Sequence, residues 1–555
     1  MTKKIDSKVL FITTSPRTPL RMIPEIELLN THFAGKKWNS ETQTVFMQLL
    51  REENFFNGEG TNDPAFSARD RINRAPKALG FVTLSPVISL TSAGQELIQA
   101  KRKEEIFLRQ LLKFQLPSPY HKAAAFWVKP YLEIFRLIRH FDSLNFDEIM
   151  LFGLQLVDYK IFDNIVAKIE RYRNTKAKAE QNYKKYRKDY IFNELKEIYR
   201  EEIKSGSIQT RESKDISLAK FLATKANNMR DYTDALFRYL RSTGLINISH
   251  TGKSISIALE KIQEVDYFLK YIDREPCFID DEKQYVTYLS NSELPQLFTD
   301  NKELLLNKIH NNFPYASIDT TSSISKLKDI FYDEINKRKE TIIEEQITAI
   351  KDYRLHDDIN IIFNQIINKS LYDIPLMLEW NVWRAMTMLD GGQITANLKF
   401  DDFGNPMSTA QGNMADIVCD YGDFGLTVEV TMQTGQRQYE TEGEPVTRHL
   451  AKWKKKNEKP TYCLFIAPEI NEACIAHFYM LHKTNISYYG GISIILPLPL
   501  NVFQKMVEDS YKASYTPKPQ QIKHLFEYSN KIATESTDEK IWFNKITNKA
   551  LNWLE

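Results

Sequence analysis

Little in this chain points to a covalent or metal staple. Its 555 residues include four cysteines, Cys277, Cys419, Cys463 and Cys474, none in CxxC or Cys/His zinc spacing. That pattern excludes a disulfide-built secreted fold and a zinc ribbon. Cys419 and Cys463 lie in apolar, strand-like runs and read as core thiols, which suits a reducing cytoplasm. No apolar run approaches the length of a membrane span; the nearest, residues 492–500, is broken by prolines. The first twenty residues lack the long apolar core of a signal peptide. The expectation is a soluble, cytoplasmic protein with no membrane partner. A dominant charge is missing too: 74 Lys and Arg against 72 Asp and Glu leave +2. A small total does not exclude nucleic acid, because clustering sets the local potential.

Apolar and aromatic residues are ample, at 42% and 12%. The length is too great for one core, and about three domains are expected. Residues 41–50 have a helical apolar pattern. Ser67 can cap a helix running to about Leu79, with Gly80 as its stop. Residues 81–84 and 87–90 read as short strands around Ser85–Pro86, and Thr91 or Ser92 opens another helix. Helix, glycine, strand, turn, strand and LTxxG form the pattern of a winged helix. The helix before the wing carries Arg69, Arg71, Arg74 and Lys77. These could read guanine edges and hold phosphates, or form a solvated basic face. Pro76 is expected to kink or shorten that helix.

Residues 119–155 read as a packed helical connector. Nine Lys or Arg positions lie between Lys168 and Lys188, interleaved with tyrosines. This run suits either a phosphate backbone or an exposed spacer helix. The first pattern then returns: two helical segments, Gly244, a strand at 245–248, a turn at Thr251–Gly252 and a strand at 254–257. Arg230, Arg238, Arg241 and Lys253 would be the polar contacts of this second winged helix. The domain expectation follows: 1–115 and 116–264 recognise DNA, 265–300 link, and 301–555 form a mixed α/β domain.

Within that last domain, Pro375 opens an apolar helix carrying one acid, Glu379. Two β-branched runs, 415–419 and 426–431, flank Gly422, Asp423 and Gly425 and read as a hairpin. Asp416 interrupts the first run and Glu429 the second. Burying carboxylates in strands is costly unless a cation offsets them, and Mg²⁺ takes oxygen ligands. A helix is expected from Pro445 to about Lys456, and strands at 461–468 and 492–498. The acid pair is similar to the metal-binding pair of PD-(D/E)xK nucleases, with Ala415 in place of the motif proline and Thr431 in place of its lysine.

Further residues carry a more specific likeness: LEWNVW at 378–383, NP at 405–406, ADI at 415–417, VEVT at 428–431 and RQ at 437–438. Glu442 and RHL at 448–450 complete the set, joined by residues 15–27, 74–82 and 238–245. The ordered set resembles the AlwI-type family of type IIS restriction endonucleases, which includes strand-specific nicking members. The resemblance implies a multidomain α+β chain: two winged-helix modules bind a short asymmetric duplex site, and a Mg²⁺-dependent PD-(D/E)xK domain cuts a few base pairs downstream. It implies Asp416, Glu429 and the Val430 carbonyl as metal ligands, with Glu379, Glu442 and His449 completing the catalytic set. Gln433, Gln438 or Lys452 would cover the lysine's role. The implied partners are double-stranded DNA, a cognate DNA methyltransferase and a transient homodimer through the nuclease domain. A monomeric nickase, a winged-helix regulator with an inactive nuclease domain, and a repair or transposition nuclease are the other readings.

Overall fold

Asp63 sets where the first basic helix begins: its side chain accepts the Phe66 N–H at 2.9 Å. Ser67, expected as the cap, lies one turn inside, because Pro64 already fits the first helical position. The computed structural model describes residues 8–16, 18–53, 63–122, 125–177, 183–210, 213–249, 254–389, 392–409 and 414–555. The chain divides into two compact units, Met1–Glu334 and Ile335–Glu555.

The first unit opens with α1 (Met22–Phe33), α2 (Ser40–Glu52) and α3 (Pro64–Arg74). Helix α3 stops two residues before Pro76, so the proline shortens the helix. The chain then turns through Gly80, at φ +77, into β1 (Val82–Thr83) and β2 (Ser89–Leu90), which pair antiparallel. Thr91 caps α4 (Ser92–Gln99) by accepting the Gly94 N–H at 3.0 Å. A Cβ on Gly94 would run into the Phe81 carbonyl, which accounts for the glycine of LTxxG.

Next come α5 (Lys103–Lys113), α6 (Pro130–Phe141), β3 (Ser143–Asn145), α7 (Phe146–Leu151), α8 (Phe162–Ala177), α9 (Tyr183–Ile198) and α10 (Arg200–Ser205). The basic run is tied inward: Arg173 and Arg187 bond Glu148 and Asp147 of α7, at 2.8 and 2.6 Å. The two helical segments expected before Gly244 are one helix, α11 (Leu218–Arg241). Strands β4 (Ile246–Ile248) and β5 (Ser254–Ile257) pair antiparallel, and β3 adds to β5 as a third strand.

Residues 265–300, expected to be a linker, are built into this unit. Here α12 (Ile262–Tyr271) is followed by α13 (Glu282–Ser290), whose last carbonyls accept bonds from α5. Lys113 donates to the carbonyls of Leu289 and Asn291, at 2.9 and 2.6 Å. A Cβ on Gly80 would come within 2.6 Å of the Leu289 side chain. After α14 (Lys302–Asn312), α15 (Ile324–Lys351) carries the chain across the unit boundary. Residues 301–334 thus belong to the first unit, since their polar groups, such as Lys328 with Glu105 at 2.6 Å, find partners there.

The second unit contains α16 (His356–Ile367), α17 (Ile374–Leu389), β6 (Gln393–Ala396), β7 (Leu398–Phe400), β8 (Pro406–Thr409), β9 (Ile417–Asp420) and β10 (Gly425–Val430). It continues with α18 (Gln436–Asn457), β11 (Thr461–Ala467), α19 (Glu472–Lys483), β12 (Ile495–Pro499), α20 (Leu500–Lys512), α21 (Pro519–Glu535) and α22 (Glu539–Leu551). Five strands form one mixed sheet in the order β12-β11-β10-β9-β6. β10, β11 and β12 are parallel, and β11 is buried along its whole length, as expected of a strand covered on both faces. Helices α17, α18, α19 and α20 pack on this sheet. Helix α18 begins nine residues before Pro445, its expected start. Buried Gln438 anchors the earlier turns, and the proline only removes the bond to the Thr441 carbonyl. No described helix is long and apolar enough to cross a membrane.

Candidate active site

The β9–β10 hairpin forms as the apolar runs and their Gly-Asp turn imply. Its register pairs Gly425 with Asp420 and Val428 with Ile417. One further step along the ladder sets Glu429 beside Asp416, just before β9. The last two residues of β10 and the one that follows then each engage one site group. Glu429 Oε1 lies 2.8 Å from His449 Nδ1. The Val430 N–H donates to Asp416 Oδ2 at 2.8 Å. The Thr431 hydroxyl donates to Glu442 Oε1 at 3.0 Å. Glu442 and His449 are seven residues apart on α18, two turns, and so share one helix face.

Burial dominates the electrostatics. It pushes Asp416 and Glu429 well above the ordinary carboxylate range; the Glu429 charge adds to the rise at Asp416, and Glu442 to both. Glu442 is raised by burial, against the opposing hydroxyls of Thr431 and Thr441. His449 is depressed to about 4, first by burial and then by the charges of Arg448 and Lys452. It is therefore neutral at pH 7. Its Nδ1 and the Glu429 carboxyl share one proton across their 2.8 Å contact.

Among the described residues, no three His, Cys, Asp or Glu groups are set for joint ligation of a metal. Mg²⁺ is ordinarily held by one or two carboxylates with water, and Asp416 and Glu429 supply two neighbouring hard oxygen donors whose burial is costly in the charged form without a cation. The residues therefore fit such a cation. Val430, expected to offer its carbonyl, contributes its N–H to Asp416. Glu379 is half-buried on α17, which packs against β10.

The basic candidates divide by environment. Arg71 donates to Glu25 at 2.7 Å. Arg74 bonds Asp70 at 2.9 Å and Thr14 at 3.3 Å, and Lys77 lies over the Tyr120 ring at 4.6 Å. Arg238 bonds Asp234 at 3.0 Å, and Arg241 is half-buried. Arg69 and Arg230 are exposed, Arg69 over the Phe66 ring and Arg230 beside Asn227. Lys253 lies outside the described residues.

The family model for the AlwI restriction endonuclease matches residues 77–506. The chain belongs to the AlwI restriction endonuclease family. No curated protein matches it. Among solved structures, the small subunit of the heterodimeric restriction endonuclease R.BspD6I is 23% identical, covering 36% of this chain and 95% of that one, with a TM-score of 0.29. The BpuJ1 endonuclease binding domain, solved with pyrene- and phenanthrene-modified DNA, is 15% identical over 51% and 96%, TM-score 0.33. Restriction endonuclease FokI is 12% identical over 93% and 98%, TM-score 0.24.

In this AlwI-family chain, the three groups named for the lysine's role sit in different environments. Gln438 is fully buried and bonded to main chain, and Lys452 is exposed on α18. Gln433 enters through its main chain, donating its N–H to Thr431 at 3.1 Å. Thr431, absent from the expected site residues, is the residue that bonds Glu442, and its place in VEVT beside Glu429 was the available signal.

Proposed function

We propose that the protein is a type IIS restriction endonuclease. The first unit, with two winged-helix modules, binds a short asymmetric duplex site, and a PD-(D/E)xK-like second unit hydrolyses phosphodiester bonds a few base pairs away. The observation that carries this reading is the carboxylate cluster at the hairpin end, which the charge of a divalent cation would relieve. Asp416 and Glu429 would hold Mg²⁺, which when bound supplies a more acidic water and stabilises charge on the phosphate. The Val430 N–H fixes Asp416, and neutral His449 fixes Glu429. Glu442 is placed to orient the attacking water. One such cluster lies among the described residues, so cutting both strands calls for a transient homodimer, whereas a monomer would nick. A cognate DNA methyltransferase would protect host sites.

Incubating supercoiled plasmid with Mg²⁺ and either wild-type protein or Asp416→Ala tests the reading. Fragments with ends at a fixed offset, lost in the variant, are expected. Open circles alone would identify a nickase, and footprints without cleavage would favour the regulator. Arg69→Ala and Arg230→Ala should each lower the salt slope of DNA binding by about 1 if they contact phosphates. Unchanged slopes in both would remove these helices from the interface.

A further inference from the structure

Thr431 stands at the centre of a hydrogen-bond pattern that reaches Glu442. Thr431 is buried, and its Oγ1 accepts the Gln433 N–H at 3.1 Å while donating to Glu442 Oε1 at 3.0 Å. A hydroxyl has a single proton, so the N–H on its acceptor side leaves that proton directed at the carboxylate. The Gln433 carbonyl accepts from Gln438 Nε2 at 2.9 Å. The same nitrogen donates to the Glu469 carbonyl at 2.9 Å, and Gln438 Oε1 accepts the Asn471 N–H at 2.7 Å. Gln438 therefore joins the loop leaving β10 to the loop leaving β11, from a position with no exposure.

A buried glutamine that closes two loops can be a purely structural device. Here its bonds continue without a break to a carboxylate of the site. We propose that Gln438, Gln433 and Thr431 form a positioning relay that holds Glu442 at the edge of the metal site. A lysine would bring positive charge; the relay brings a fixed direction and no charge. Thr441, the other hydroxyl on Glu442, is farther at 3.3 Å, so loss of Thr431 leaves the carboxylate free to turn. The inference rests on the nuclease reading of the same site.

The test uses full-length protein with Thr431→Val, Thr431→Ser, Glu442→Gln, the Thr431→Val/Glu442→Gln double variant and Gln438→Met. It measures cleavage kcat and KM, and Mn²⁺ binding to the DNA-free protein by electron paramagnetic resonance. Thr431→Val should lower kcat and Mn²⁺ affinity by roughly 10–100-fold, the usual effect of losing an outer hydrogen-bond partner of a metal site, with KM for DNA unchanged. Thr431→Ser should restore both, and Gln438→Met should resemble Thr431→Val. In the Glu442→Gln background the valine should cost nothing more, because the two act as one unit. Full additivity in that cycle would overturn the relay. So would a serine variant as poor as valine, or a Gln438→Met protein that loses thermal stability while kcat and Mn²⁺ affinity stay intact. A wild-type protein that does not cleave would refute the nuclease reading, while the Mn²⁺ comparison would still decide the relay.

Discussion

Glu429→Gln is expected to abolish strand cleavage and, in metal-free buffer near neutral pH, to raise the unfolding temperature of the protein. Both effects have one cause. Burial and neighbouring carboxylates hold Glu429 and Asp416 far above their ordinary range. A carboxyl raised in this way binds its proton more tightly in the folded state than in the unfolded one. The stability it lends is full below the ordinary carboxylate range of about 4 and is lost as pH rises through the elevated value. Metal-free protein should therefore weaken as pH climbs toward neutrality. Glutamine cannot ionise, so it removes part of that slope. Mg²⁺ should restore the wild type more strongly at pH 8 than at pH 5, and should barely move the variant. Losing a ligand whose metal contributes several kcal/mol to the transition state corresponds to at least about a 10²–10³-fold fall in rate. Thermal scans from pH 5 to 9 with EDTA or Mg²⁺, beside plasmid cleavage, measure both. Identical pH slopes in the two proteins would sink the electrostatic account.

Arg71→Ala should destabilise the protein by about 3–5 kcal/mol, the usual result of removing one partner of a buried ion pair. The Glu25 side chain is 1% exposed and that of Arg71 18%, so the alanine leaves a buried carboxylate without its cation. Replacing both residues, as Glu25→Leu with Arg71→Met, should recover most of the loss. Urea unfolding gives the comparison. A cost under about 1 kcal/mol in the single variant, together with weakened DNA binding, would return Arg71 to the recognition surface.

The hairpin was legible because its signals are local. Gly422 and Gly425 bound two β-branched runs, and the acids sit at equivalent ends. Thr91 capping its helix was readable for the same reason. The pairing of Arg71 was not legible because its partner, Glu25, lies 46 residues earlier in sequence. The start of α18 depended on Gln438 finding partners in another loop, so Pro445 offered a false boundary. Residues 265–300 were expected to link domains, yet a helix end there is bonded by Lys113 and Gln110 from far upstream. Local chemistry sets turns and caps, while the partners of long polar side chains are set only by tertiary packing.

The way α13 packs into the first unit also imposes an order on biosynthesis. The β1–β2 module rests on Leu289, and β3 waits some 110 residues for β5 to pair beside it. Domains generally fold as the chain emerges, amino-terminal first. The proposed DNA reader therefore cannot close until residue 290 has left the ribosome, yet it can close before Asp416 and Glu429 are translated. A nascent chain thus gains its address before its blade.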